Sequence, residues 1–287
     1  IIEQALATAQ ITQQQIDNIA YTAGPGLAGS LMVGASLAKS LAYSLAVPSI
    51  AVNHLEAHIL APFIENPQLQ FPFLALLISG GHTQLIQANS LGNYTILGQS
   101  IDDAVGEAFD KVAKLLGLPY PGGAALAQLA DAGSNSFNFP VPLRGKQQLN
   151  FSFSGLKTAV FYALEKLKAQ QLELTPQIKA DIAHSFQHAA ISSLLEKTTA
   201  AIEQTAAKRL VVAGGVSANQ YLRSQLKTKL TKTELFFATS ELCTDNAAMV
   251  AYTGQQYQLA GKQDADLAIQ VQARWPMDTS LVAINHG

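Results

Sequence analysis

The chain has 287 residues, of which 48% are apolar, 13% charged and 7% aromatic, and its formal charge is −2. So apolar a polymer buries itself, which excludes a largely disordered chain, and the length suits two lobes of ordinary size. The near-neutral balance excludes an overall basic nucleic-acid binder. The single cysteine, Cys243, excludes a disulfide framework and a CxxC metal knuckle, and it suits a reducing compartment.

The opening run Ile1–Ala9 is helix-like and begins without Met, so a missing leader or N-terminal piece is expected. No signal peptide is visible. Ile19–Thr22 reads as a strand, Gly24-Pro25-Gly26 as a turn, and Ser30 as the cap of a helix running to Ala46. The apolar run Leu27–Ile50 contains Lys39 and Pro48, and so reads as a buried helix and strand rather than a membrane span. Ser49–Val52 is the next strand, and Asn53 caps a helix from His54 to about Phe63. Pro72–Ile78 is a continuous apolar strand, with Thr83–Gln87 and Tyr94–Leu97 as antiparallel partners. Helices are predicted over Asp103–Leu116, Ser154–Ala169, Gln177–Ala207, Ala218–Leu230 and Thr244–Leu259, with strands at Leu210–Ala213 and Glu234–Ala238. Phe137–Asn150 reads as loop or short strands. The pattern is α/β with mixed strand directions. The seam between lobes is placed at Pro67–Pro72. Residues 1–70 form an N-terminal lobe, completed by a C-terminal helix over 260–287, and residues 71–259 form the other lobe.

Two buried strands end in a glycine pair, one in Ser79-Gly80-Gly81-His82 and one in Gly214-Gly215-Val216-Ser217. Glycine lets backbone N–H groups approach a phosphate without Cβ obstruction, although tight turns use the same residues. Neither segment matches a Walker A or GxGxxG pattern.

Two histidine pairs, His54/His58 and His184/His188, share the i,i+4 spacing. That spacing puts the rings about 40° apart on one helix face, within reach of a shared metal, and it does not choose between the pairs. Glu56 lies about 200° round the helix from His54, which is poor geometry for the base of a metalloprotease. A third ligand must come from afar. Asp245, in Cys243-Thr244-Asp245-Asn246, is a candidate and equally a plain helix-start carboxylate.

The run Asp103–Leu116 is two-faced, with Asp103, Glu107, Asp110 and Lys114 on one side. It reads either as a solvated stripe with an Asp110–Lys114 pair or as a carboxylate offered to ligand hydroxyls. Phe151–Thr158 can present Ser152, Ser154 and Lys157 to an anion, or serve as an edge strand and helix cap. Between Gln204 and Thr233 there are six basic residues, Arg223, Lys227 and Lys229 among them, and no acidic one. Such a stretch suits a polyanion, and a solvated helix face has the same pattern.

Together the segments GPGLAGSLMVGASLAKSLA (24–42), NHLEAHILA (53–61), LLISGGHTQL (76–85), DDAVGEAFDKVAKLLGLPYPGG (102–123), FSFSGLKTAV (151–160), VVAGGVSANQYLR (211–223) and CTDNAAMVAYTG (243–254) resemble the tRNA threonylcarbamoyladenosine-forming family. The resemblance runs through most of the chain in family order. It implies an actin-like ATPase (ASKHA, ribonuclease H-like) two-lobed α/β fold with a central ligand cleft, here without its first strands. It implies an acyltransferase that moves a threonylcarbamoyl group from threonylcarbamoyl-adenylate to N6 of adenosine 37 in ANN-decoding tRNAs. Residue by residue, it implies that His54, His58 and Asp245 hold one divalent metal, iron(II) before zinc. It further implies that Leu77, Ile78, Ser79, Gly80 and Gly81 form the phosphate-side loop, and that Asp110, Gly123 and Asn219 contact the nucleoside end. His184 and His188 match no family ligand.

The resemblance implies, for a bacterial source, an inactive paralogue of the same fold and a small P-loop ATPase as helpers. It implies no membrane and a cytoplasmic location, with a mitochondrial one as the alternative. The family's opening GIETSCDET-like motif has no counterpart here. Ala124 stands where proline is usual, and Ala127 where many members carry an aspartate. No general base is assigned. The competing readings are a metalloprotease, an actin-like small-molecule kinase, and an inactive fragment or scaffold.

Overall fold

The computed structural model describes residues 1–145 and 147–278. In chain order the elements are α1 (Ile2–Ala9), β1 (Ile19–Gly24), α2 (Ala28–Leu45), β2 (Ser49–Asn53), α3 (His54–Leu60), β3 (Phe73–Ile78), β4 (Thr83–Ser90), β5 (Asn93–Gln99), α4 (Val105–Leu115), α5 (Gly123–Asp131), α6 (Ser154–Ala169), α7 (Pro176–Thr205), β6 (Arg209–Ala213), α8 (Gln220–Lys229), β7 (Glu234–Phe237), α9 (Ser240–Cys243) and α10 (Ala247–Leu259).

Two sheets organise the chain. β1 and β2 pair in parallel, joined by α2. The second sheet has the order β5-β4-β3-β6-β7, antiparallel on the β4/β5 side of β3 and parallel on the β6/β7 side. β3 is buried along its whole length because its alternating side chains feed two cores. Leu74, Leu76 and Ile78 join the cluster built with Phe109 of α4, Leu126 of α5, Leu156 of α6 and Phe186 of α7. Phe73, Ala75 and Leu77 face the opposite cluster, with Leu55 and Ile59 of α3.

β3 and β6 run side by side, with Leu76 opposite Val212, so both glycine pairs emerge at the same end of the sheet. The two loops touch. Gly214 has φ +86°, and a Cβ there would lie 2.5 Å from the carbonyl oxygen of Ile78. At Gly106 a Cβ would lie 2.5 Å from the carbonyl of Ser79, which seats the start of α4 directly under the first loop. Ligands in open α/β sheets bind at such carboxyl ends.

Several local expectations are corrected. α2 starts at Ala28 with Leu27 before it, and Ser30 lies inside its first turn rather than capping it. α10 starts only at Ala247, because Asn246 is its cap, accepting the Met249 N–H at 2.9 Å. α10 packs back on the first sheet, where a Cβ on Gly254 would sit 2.4 Å from that of Ala20. The chain therefore already lies against the first sheet along α10.

No helix forms over 260–278, against the helix expected over 260–287; residues 279–287 lie outside the described residues. The segment is a strap whose backbone groups are spent on the first sheet. Asp264 N–H donates to Ser49 O at 2.9 Å, Gln272 N–H to Ala23 O at 2.8 Å, and Gly26 N–H to Ala273 O at 3.2 Å. Asp264 also takes the Lys39 ammonium at 2.6 Å, the Ser49 hydroxyl at 2.8 Å and the Ala51 N–H at 2.9 Å.

Candidate functional site

Asn53 ends β2 and caps α3, its Oδ1 accepting the Leu55 N–H at 2.9 Å. The next residue is therefore His54, at the mouth of the sheet, with His58 one turn on. The rings meet edge to face with centroids 4.6 Å apart. Asp245 arrives from the far end of the chain, between two anchored neighbours. Cys243 is buried, donating to Ala238 O and accepting from Ser217 Oγ at 3.1 Å. Asn246 bonds the Thr244 carbonyl at 2.8 Å while capping α10. Held this way, Asp245 Oδ1 lies 3.1 Å from His58 Nε2 and 3.4 Å from His54 Nε2.

The three ligand atoms fall within 4.8 Å of one another. Hydrogen bonds to His54 and His58 hold the Asp245 carboxyl well below the usual carboxylate range. Two imidazoles and one ionised carboxylate are a donor set for a first-row divalent ion, with room for a further ligand, since the Asp245 side chain is 80% exposed. His82 sits nearby. Burial, with the charge of His54 and His58, lowers its imidazole from the ordinary value.

Beside this cluster is a cavity of about 530 Å³. Gly80, Asp110, Gly123 and Asn219 all line it, and so does Thr244, the chain neighbour of Asp245. Asp110 is not paired with Lys114. Its Oδ1 accepts the N–H groups of Gly122 and Gly123 at 2.8 and 2.9 Å, while Lys111 takes the ion pairs with Asp103 and Glu107. Asn219 caps α8 through Leu222 N–H at 2.9 Å and donates to Gln187 at 2.7 Å.

Ser79 N–H donates to His82 O at 2.8 Å and its hydroxyl accepts the His82 N–H, so the loop proper is Ser79–His82, with Gly80 and Gly81 exposed. Leu77 and Ile78 stay in the strand, fully buried in the two cores, and offer the cleft no side chain.

Among the described residues the second histidine pair gathers no third His, Cys or carboxylate ligand. His184 donates to Ala130 O at 3.0 Å, and His188 bonds the Tyr221 hydroxyl at 2.8 Å. The anion reading of Phe151–Thr158 also fails, because Asp102 holds both serine hydroxyls and the N–H groups at the start of α6, while Lys157 lies against Asp103. Arg223 is not free for a polyanion. It donates to Ser217 O and Ala238 O at 2.7 and 2.8 Å and lies over the Phe237 ring.

Ala124, Ala127, Gln128 and Asp131 line the cavity on one face of α5, a set that the i, i+3, i+4, i+7 spacing marks in the sequence. Tyr221 and Gln187 join them from α8 and α7 by tertiary packing, with no signal in the sequence.

HypF of T. kodakarensis superposes with a TM-score of 0.67 at 18% identity, over 90% of this chain and 43% of that one, so the chain spans less than half of HypF. Component A of the Acidaminococcus fermentans (R)-2-hydroxyglutaryl-CoA dehydratase gives 0.50 at 16%, over 91% and 83%. These likenesses fix the class: an actin-like ATPase-type α/β fold, here with a His-His-Asp cluster at the rim of its cleft.

A sequence model described as tRNA N6-adenosine threonylcarbamoyltransferase matches residues 1–252. A protein of that name from Legionella pneumophila strain Corby is 51% identical over 280 residues, 96% of this chain and 83% of the relative. The strain Lens protein is 50% identical over the same span. The chain belongs to the tRNA N6-adenosine threonylcarbamoyltransferase family, acyltransferases that form threonylcarbamoyladenosine in tRNA.

Proposed function

We propose that the chain transfers the threonylcarbamoyl group of threonylcarbamoyl-adenylate to N6 of adenosine 37 in ANN-decoding tRNAs. In this reading His54, His58 and Asp245 hold one divalent ion, iron(II) before zinc. The observation that carries it is the contact between the metal-type cluster and the glycine-lined cavity, joined through Thr244 and Asp245.

Gly80 and Gly81 have open space where a Cβ would stand, which suits a phosphate lying against their backbone. Asp110 is oriented by two N–H groups at one oxygen, leaving the other for a ribose hydroxyl. Gly123 and Asn219 border the nucleoside end. A divalent ion held by His54, His58 and Asp245 would supply Lewis acidity. The N6 lone pair attacks the carbamoyl carbon, the bond from that carbon to the phosphate oxygen breaks, AMP leaves, and N6 gives up a proton. The protein's share is chiefly the alignment of two large substrates, worth at most about 7–11 kcal/mol.

The metalloprotease reading lacks its base, since Glu56 is buried and bonded to Tyr94 and Tyr257. A helper of the same fold is supported by the uncovered apolar face of α2, where Val33 is 72% and Leu37 56% exposed. No helix among the described residues is long and apolar enough to cross a membrane, and a cytoplasmic location is part of the proposal.

The test is modification of an ANN-decoding tRNA with synthetic threonylcarbamoyl-adenylate and the helper proteins. The parent chain is expected to form the modified base, and His58→Ala to lose metal and at least 100-fold in rate. Undiminished rate in His58→Ala refutes the metal site. A substrate other than the adenylate supporting the parent reaction refutes the donor.

A further inference from the structure

Glu56 lies between the two imidazoles on α3 but points away from them, 3% exposed. Its Oε1 accepts the Tyr94 hydroxyl at 2.7 Å, the Tyr257 hydroxyl at 2.8 Å and the Gly92 N–H at 3.2 Å, and its Oε2 lies 2.7 Å from the same Tyr257 hydroxyl. Gly92, in the β4–β5 turn, has φ +75°, and a Cβ there would lie 3.3 Å from the Tyr257 hydroxyl. Lys262 stands over the Tyr257 ring at 5.2 Å.

The partners come from two directions. Gly92 and Tyr94 belong to the β4–β5 hairpin. Tyr257 belongs to α10, whose cap, Asn246, directly follows Asp245. The carboxylate therefore ties the helix carrying two ligands to the helix that begins beside the third. A buried carboxylate is costly unless fully bonded, and its bonds in a low-dielectric interior are strong and directional. An α-helix is stiff, so a fixed point at Tyr257 fixes the start of α10 about 15 Å away.

We propose that Glu56 and Tyr257 are positioning residues for the metal ligands, setting the separation between Asp245 and the His54/His58 pair. The inference rests on the reading of that cluster as a metal site. Groups bonded directly to a metal ligand commonly change affinity 10- to 100-fold when removed, and Glu56 and Tyr257 act one step further out, through the helices that carry the ligands. Tyr94→Phe takes a hydroxyl from the same carboxylate but leaves the Tyr257 bond to α10 in place, and so separates positioning from general loosening.

Co²⁺ binding to the chain is titrated by visible absorption, beside thermal melts of the metal-free variants. Tyr257→Phe is expected to weaken Co²⁺ about tenfold or more, and Glu56→Gln to do the same, while Tyr94→Phe stays within about threefold of the parent. The proposal is overturned if Tyr257→Phe and Glu56→Gln bind within twofold of the parent, or if Tyr94→Phe weakens binding as much as they do. A folded parent chain that binds no Co²⁺ overturns the metal-site reading itself and the proposal with it.

Discussion

Asp110 shows how one side chain carries two duties. Its Oδ1 orders the Gly122-Gly123 turn that begins α5, and the same carboxyl borders the cavity. Asp110→Ala removes charge-assisted bonds worth about 1.5–3 kcal/mol each, so the KM for the adenylate is expected to rise at least tenfold. Steady-state rates of tRNA modification against adenylate concentration measure it, and an unchanged KM would exclude the residue from the substrate site. At this scale the sequence was readable where spacing is local. The i,i+4 imidazoles were marked, but only the resemblance chose between two equal pairs. Asp245 stands 187 positions from His58, and no pattern links them before the chain folds. Leu77 and Ile78 show the opposite case. They share a motif with the glycines, yet strand alternation sends their side chains into two cores.

Elements were readable wherever apolar periodicity was long. α6 matches its predicted bounds, α7 and four strands of the larger sheet lie within a residue or two of theirs, and β4 runs three residues past its own, to Ser90. Starts of helices were less so, because a cap is chosen by tertiary neighbours. Asn53 caps as expected, Ser30 does not, and Asn246 moves the start of α10 past Asp245. That displacement matters, since a carboxylate inside the first turn would be held by the helix rather than offered to the histidines. The loop pair at the sheet end is held equally tightly. Gly214→Ala would force a Cβ at φ +86° to within 2.5 Å of the Ile78 carbonyl. A loss of more than about 1 kcal/mol in stability is expected. Chemical denaturation of the variant checks it, and an unchanged midpoint would show that the two loops need not touch.

At the scale of the whole molecule, the first sheet is held from both faces by sequence that follows it. α10 covers one side, and the strap from Asp264 fastens Lys39, Ser49 and Ala51. Burial acts to raise the Asp264 carboxyl, but the bonds from Lys39, Ala51 and Ser49 outweigh it, and the net shift is downward. A depressed carboxyl adds stability above its unfolded value, near pH 4, and the gain is lost as pH falls through the lower folded value. The melting temperature of the parent should therefore exceed that of Asp264→Asn at pH 7, with the gap closing below about pH 4. A gap that stays constant on acidification would remove Asp264 as the source. The strap is fastened by backbone groups and one aspartate as well as by Val271, Trp275 and Met277, which pack on the cores.

The strap also sets an order of events during translation. The β1–α2–β2 unit leaves the ribosome before the strap, yet Lys39 meets its carboxylate only when residue 264 has been made. Every proposed metal ligand is already present by residue 245. A nascent chain at that stage has its chemistry encoded but its first sheet unfastened, with a lysine waiting in a place meant to be dry. The first sheet is thus made before α10 and the strap, and is finished only after them.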